Sequence, residues 1–297
     1  MFRIVFADSS DLKQIAETLA SFRDANWELA NEGLFINTMD NSNCALVDIH
    51  IPANTFDTYE ISHPMVLGIH SERFLAILKV AKHKKVILGS ANKKQKKSDI
   101  VDTNPDLVAI EMVDENTYDN TFLLHLLSIE VEQLAVPETD WAVIVSIKPA
   151  LFTSILENQL IITDTTRIII TNQTSPWSMD QTEPQEGESG PLRMIFVGSS
   201  EKGKNMISLT KDQVSFTHGT HTFINLEFSL KFLLQFAKVG LHSNGMELYM
   251  SPDTPMVLKY AMRNHAGGFI RFVIAPKVMD EWSTPGTTAM QLEDNSE

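Results

Sequence analysis

Ser10 and Asp11 stand side by side near the amino terminus, and a hydroxyl beside a carboxylate is a simple starting point for nucleophilic chemistry. A nucleophile also needs a base, yet the nine histidines are scattered without metal-ligand or triad spacing. The chain has no GxxxxGK[ST] phosphate loop and no GxSxG turn. Ser10 therefore reads as a helix N-cap. No catalytic group, cofactor or metal is expected. Cys44 is the one cysteine, which excludes an internal disulfide and a cysteine-only metal site.

Basic side chains offer more. Lys13, Arg73, Lys79, Lys231 and Lys238 fall on the polar side of amphipathic stretches, where they could meet phosphates. On pattern alone they equally make an ordinary solvated face, with Lys13 one turn from Glu17. Seven of the 24 basic residues lie between Lys82 and Lys97, flanking a short strand over Val86–Ala91. That charged hairpin is either a solvated face or a contact for DNA or nuclear import. The net charge of −14 argues against a tight DNA binder, which gains affinity by displacing counterions with basic groups. Positive patches nonetheless survive in an acidic whole.

The elements that must carry these residues repeat four times as an apolar strand feeding a short amphipathic helix. Phe2–Phe6 leads through Ser10 into Leu12, Ile15, Ala16, Leu19 and Phe22, spaced near 3.6 residues. Met65–Ile69 leads through a Ser71 cap into Phe74, Leu75, Ile77, Leu78 and Ala81. Trp141–Val145 leads to Pro149, suited to a first helical turn, and then Leu151, Phe152, Ile155 and Leu156. After Ser229 come Leu230, Leu233, Leu234 and Ala237, with Gly240 placed to stop the helix in a left-handed turn. Alternating stretches at Gly33–Met39, Ala45–Ile51, Arg167–Thr171, Met246–Met250 and Met256–Tyr260 predict antiparallel strands covered on one face.

The fold class is therefore α+β: two similar domains of antiparallel sheet with two short helices each. They span residues 1–125 and 139–280, with a connector over 126–138. At 297 residues and 43% hydrophobic content, two domains with real cores are affordable. Residues 172–190 hold Asp180, Glu183, Glu186 and Glu188 without a basic partner and predict a disordered insertion; 281–297 predict a disordered tail. No membrane span or signal peptide is visible, so Asn172-Gln173-Thr174 is only formally a glycosylation sequon. An intracellular, reducing location is expected.

Several strings occur in an order and spacing that resemble the eukaryotic sliding-clamp family, proliferating cell nuclear antigen, over nearly the whole chain. They are Trp27-Glu28-Leu29, Met39-Asp40, Ala45-Leu46-Val47, Phe56-Asp57-Thr58-Tyr59 and Ile77-Leu78-Lys79. The run from Ile129 to Glu138 resembles the family's interdomain connector, and Ser251, Asp253, Pro255 and Ala275-Pro276-Lys277 follow. The resemblance implies the DNA clamp fold. It implies a homotrimeric ring, acting in the nucleus or at a viral replication site, that encircles double-stranded DNA as a polymerase processivity factor. Lys13, Arg73, Lys79, Lys231 and Lys238 would then line the track, with Ser154 and Glu157 departing from the usual basic pattern.

By the same resemblance, a pocket beside the connector would take short peptides with a glutamine, an aliphatic residue and paired aromatics, carried by DNA polymerase, clamp loader and repair proteins. Its lining would be Met39, Asn43, Cys44, Leu46, Gln133, Leu134, Val136, Pro255, Ala275 and Pro276. Asn43, Cys44 and Val273 depart from the family's histidine, branched aliphatic and aromatic. Ring edges would include Tyr118, Phe122 and Leu124 on one side and Ser200, Met206 and Ser208 on the other. The family's modifiable lysine has no counterpart, since 172–190 contains no lysine, so mass spectrometry should find no ubiquitin-like conjugate there. The alternative is a subunit of a heterotrimeric checkpoint clamp, which shares the fold but not self-complementary edges.

Overall fold

The computed structural model describes residues 1–81, 85–90, 105–113, 119–130, 140–173, 189–219, 223–240, 243, 245–252 and 254–277. The amino-terminal half runs β1 (Phe2–Phe6), α1 (Ser9–Leu19), β2 (Ala25–Ala30), β3 (Gly33–Met39), β4 (Ala45–Pro52), a 3-10 turn (Ala53–Thr55), β5 (Thr58–Ile61), β6 (Met65–Ile69), α2 (Ser71–Leu78), β7 (Lys85–Ser90), β8 (Leu107–Val113) and β9 (Asn120–His125). The second half repeats that order. It runs β10 (Val143–Ile147), α3 (Pro149–Leu160), β11 (Thr165–Gln173), β12 (Ser189–Ser200), β13 (Gly203–Leu209), β14 (Val214–Gly219), β15 (Phe223–Ser229), α4 (Leu230–Gly240), β16 (Met246–Met250), β17 (Met256–Ala261) and β18 (Phe269–Ile274).

The sheets are ordered β5-β1-β7-β8-β9, β13-β12-β11-β15 and β14-β10-β16-β17-β18-β4-β3-β2-β6. The nine-stranded sheet is a five-stranded sheet from the second half joined, through β18 and β4, to a four-stranded sheet from the first. Its two components have the strand orders of the two smaller sheets. The halves are thus sewn together by a ladder from Phe269↔His50 to Ile274↔Ala45, where unmatched edges would otherwise invite foreign strands.

Each strand alternates, turning Ile36, Val47, Phe272, Leu258 and Leu248 into one continuous core and their neighbours outward. Helices cover the core side in pairs, α1 with α2 and α3 with α4, while α1 touches α4 across the seam. There the Gln14 amide donates to the Val239 carbonyl at 2.7 Å. A second link comes from the loop after β17. Its Asn264 donates to Asp11 at 2.7 Å, and its buried His265 lies 2.9 Å from the Thr55 hydroxyl and 3.6 Å from Asp11, against Phe6 and Phe56.

Several local expectations need correction. The N-cap of α1 is Asp8, whose carboxylate accepts from the Ser10 N–H; Ser10 is already helical. Ser71 is the first residue of α2 and caps nothing. Its N–H is satisfied by Asp24, distant in sequence, at 2.9 Å. Gly240 does not adopt positive φ. It is glycine because a Cβ there would lie 2.1 Å from the buried Tyr260 ring. Gly33, by contrast, has φ 153°, and a Cβ would strike the Ile51 carbonyl. Strand β10 begins at Val143, not Trp141. Asn172 and Gln173 belong to β11, and Ser189 and Gly190 to β12, so the proposed insertion is shorter than 172–190; residues 174–188 and 281–297 lie outside the described residues. Of the basic run, Lys85 opens β7, and the other six lysines lie outside them too.

Candidate DNA track and partner-docking surface

All five basic residues singled out from the sequence are exposed on the helical layer. A cleft of about 570 Å³ gathers Lys13 of α1, Lys79 at the end of α2 and Arg263 of the turn after β17. A second, of about 600 Å³ between α1 and α4, gathers Lys231 and Lys238. Gln14 and Glu17 line both, so four of the five cations flank one helix, and Arg73 projects separately from α2. Lys13 approaches Glu17 only loosely, at 3.9 Å between half-exposed side chains, and such a pair contributes little. On α3 the exposed residues are Ala150, Ser154, Glu157, Asn158 and Leu160, none of them basic, so that helix adds no positive charge. Arg263 was missed because it sits in a turn, where no periodicity marks its direction.

The opposite, helix-free face of the nine-stranded sheet carries three rows of side chains, set by register. The first crosses six strands as Met39, Leu46, Val273, Val257, Tyr249 and Ile144. Leu46 and Val257 are buried and the others half-buried. The second row, two residues along each strand, is Asn37, Asp48, Arg271, Lys259, Glu247 and Ser146, with Arg271 paired to Asp48. The third holds Phe35, stacked on His50 with centroids 4.4 Å apart, and Phe269, with Lys259 and Arg271 over its ring. Burial lowers the pKa of His50 and, with help from Glu247, raises that of Tyr249, so both are neutral near pH 7.

The rim of the apolar row is a turn built by Asp40. Its carboxylate accepts from the backbone of Ser42, Cys44 and Ala45 at 2.7–2.8 Å and from the Ser42 hydroxyl. Burial would raise the Asp40 pKa, but these bonds outweigh it and hold it below the usual value. The turn puts Asn43 at φ 55° and leaves Asn43 and Cys44 exposed, with Arg23 donating to Asn43. The Ala275 N–H donates to the Cys44 carbonyl at 3.1 Å, which brings exposed Ala275 and half-buried Pro276 beside the turn, and exposed Pro255 precedes β17. Met39, Asn43, Cys44, Leu46, Pro255, Ala275 and Pro276 are thus brought together. Gln133, Leu134 and Val136 lie outside the described residues. Sequence reading missed Val257, Tyr249 and Ile144, whose place in the row depends on strand pairing alone. The connector's start is fixed by a Gly68–Leu127 bridge and by Asn26 donating to the Ile129 carbonyl.

Comparison with protein families matches residues 1–133 to the N-terminal domain of proliferating cell nuclear antigen and residues 135–277 to its C-terminal domain. The chain belongs to the proliferating cell nuclear antigen family. Its repeated strand and helix order is the DNA clamp fold, and family membership makes it a DNA sliding clamp of replication, a family whose clamp proteins are non-enzymatic scaffolds. Among the described residues no group of three histidine, cysteine or acidic side chains could hold a metal, and no helix is long and apolar enough to cross a membrane.

Of the ring-edge candidates, Phe122 and Leu124 lie on β9 and Met206 and Ser208 on β13, each the last strand of its sheet. Ser200 ends β12 instead, where its hydroxyl donates to the Ile162 carbonyl at 2.6 Å. Tyr118 lies outside the described residues.

Proposed function

We propose that three copies of this chain close head to tail into a homotrimeric ring around duplex DNA, as a processivity factor that recruits replication and repair proteins. One observation carries this reading. Inside the chain, a five-stranded and a four-stranded sheet join through β18 and β4; the same two kinds of sheet recur with β9 and β13 as terminal strands. Transferring the internal register to that second seam gives Asp119/Ser208, Asn120/Ile207, Thr121/Met206, Phe122/Asn205, Leu123/Lys204 and Leu124/Gly203. Leu123 and Met206, 59% and 36% exposed in the single chain, fall two pairs apart in this ladder, on the same face. A head-to-tail contact that closes leaves neither strand open to other partners.

Both complementary edges sit on one polypeptide, which favours the homotrimer over a heterotrimeric checkpoint clamp. In the ring the clamp domains are 1–125 and 139–280, joined by 126–138. Lys13, Arg73, Lys79, Lys231 and Lys238 face the DNA, meeting phosphates without reading sequence. The apolar row and its Asp40 rim, with Gln133, Leu134 and Val136 of the connector, take the peptide motif of polymerase, loader and repair proteins. Such a protein works in the nucleus or at a viral replication site. Light scattering at micromolar concentration tests assembly: a mass near three times 33.3 kDa is expected, and a persistent 33.3 kDa species refutes it.

A further inference from the structure

We infer that the cleft between α1 and α4 takes up an unpaired nucleotide of the encircled DNA, its base against apolar walls and its phosphates on Lys231 and Lys238. The inference rests on the DNA track proposed above. The Gln14–Val239 hydrogen bond joins the two helices at 2.7 Å, and the cleft of about 600 Å³ opens beside it, reaching Ser21 and Lys231. That volume falls within the roughly 300–1,000 Å³ of sites that enclose small organic ligands. Its walls are Leu234 and Val239 of α4, both half-buried, and Leu160 at the end of α3, 50% exposed. Phe22 closes the floor at 7% exposure, its ring near-parallel to those of Phe236 and Phe272 with centroids 6.1 Å from each. Phosphate gains nothing from these groups. The flat face of a base does, whichever base it is. A paired base is stacked between its neighbours, whereas an unpaired one can turn that face to the wall at the least unstacking cost.

Charge and hydrogen bonding complete the match. Lys231 and Lys238 stand two turns apart on α4, about 10.5 Å along its axis, and neither has an ion-pair partner among the described residues. Glu17 is the one acid in the described lining, and Lys13 stands 3.9 Å from it; Glu157 and Asp164, exposed on the α3 side, lie outside the lining. The Ser21 hydroxyl and the Gln235 amide, both unpartnered among the described residues, can donate to or accept from the edge of any base. The neighbouring cleft beside Lys79 differs. Three acids, Asp8, Asp11 and Glu17, line it, and Leu78 is its one large apolar side chain, so it offers a base no wall.

The test titrates the full chain, at low salt, into a short end-labelled duplex that is either fully paired or carries a single-nucleotide bulge, and reads fluorescence anisotropy. Binding to the bulged duplex is expected to be about tenfold tighter, the effect of one buried base. Ser21→Trp, which fills the cleft, and Leu160→Glu, which charges its wall at a half-exposed site, should lose that preference, while Lys231→Gln should weaken binding to both duplexes. Equal Kd for the two duplexes, with Lys231→Gln still weaker on each, overturns the cleft and leaves the track standing. Kd values unchanged by Lys231→Gln and by Lys238→Gln overturn both. A preference that survives in Ser21→Trp and Leu160→Glu, each with a wild-type melting temperature, puts the base elsewhere and overturns this site. Deoxyadenosine monophosphate that competes as strongly as the bulged duplex makes the ligand a free nucleotide and overturns the assignment to DNA.

Discussion

Leu123→Lys would set a lysine directly opposite Lys204 across the proposed ring contact, at a position more than half exposed in the single chain. Leu123 is 59% exposed in the single chain, so covering it in the ring contributes about 1 kcal/mol, and replacing it forfeits that. Two like charges about 5 Å apart on facing strands cost roughly another 1 kcal/mol after solvent screening. The sum, about 2 kcal/mol, weakens each contact about thirtyfold. Sedimentation over a dilution series should show the variant dissociating at correspondingly higher concentration, with an unchanged melting temperature for the isolated subunit. Adding Lys204→Glu should restore assembly by turning the repulsion into attraction. If Leu123→Lys assembles like wild type, or Lys204→Glu fails to rescue it, the register carried over from the internal seam is wrong.

Two further outcomes follow from the packing. Gly240→Ala forces a methyl group into the Tyr260 ring and should cost about 1–3 kcal/mol, seen as a melting temperature lowered by several degrees; an unchanged value would mean that ring moves freely. Burial lowers the His265 pKa although Asp11 opposes the shift, so its contribution to stability is complete above the unfolded value of about 6.5. It falls as pH drops below 6.5 and levels once pH passes the lowered folded value. His265→Gln should therefore show a shallower loss of melting temperature than wild type between pH 7 and 5, and parallel curves would contradict that role.

Much of this fold is written locally. The stripes of Leu12, Ile15 and Leu19, or of Leu230, Leu233 and Ala237, report helices because 3.6-residue spacing survives wherever one face meets a core. The bounds of β3 and β16 were legible from alternation for the same reason. What stayed hidden depends on distance along the chain. Asp48 and Arg271 are 223 positions apart, and nothing near either announces that their strands pair. Asp8, Ser9 and Ser10 can all cap a helix; in the fold Asp8 does so, while the Ser9 hydroxyl reaches the Ala81 carbonyl, 72 positions away. The apolar row was half legible: Met39 and Leu46 flank a turn visible in sequence, whereas Tyr249 joins it only through three ladders beyond Leu46 and Ile144 through four.

The internal seam is fastened by the Arg271–Asp48 pair, whereas none of the six matched pairs proposed for the other seam joins opposite charges. Concentrated electrolyte strips lysines from phosphates but barely weakens contact between apolar groups. Under brine, a ring closed as proposed would lose its grip on the polymer yet stay shut, sliding off open ends while remaining threaded on a covalently closed circle.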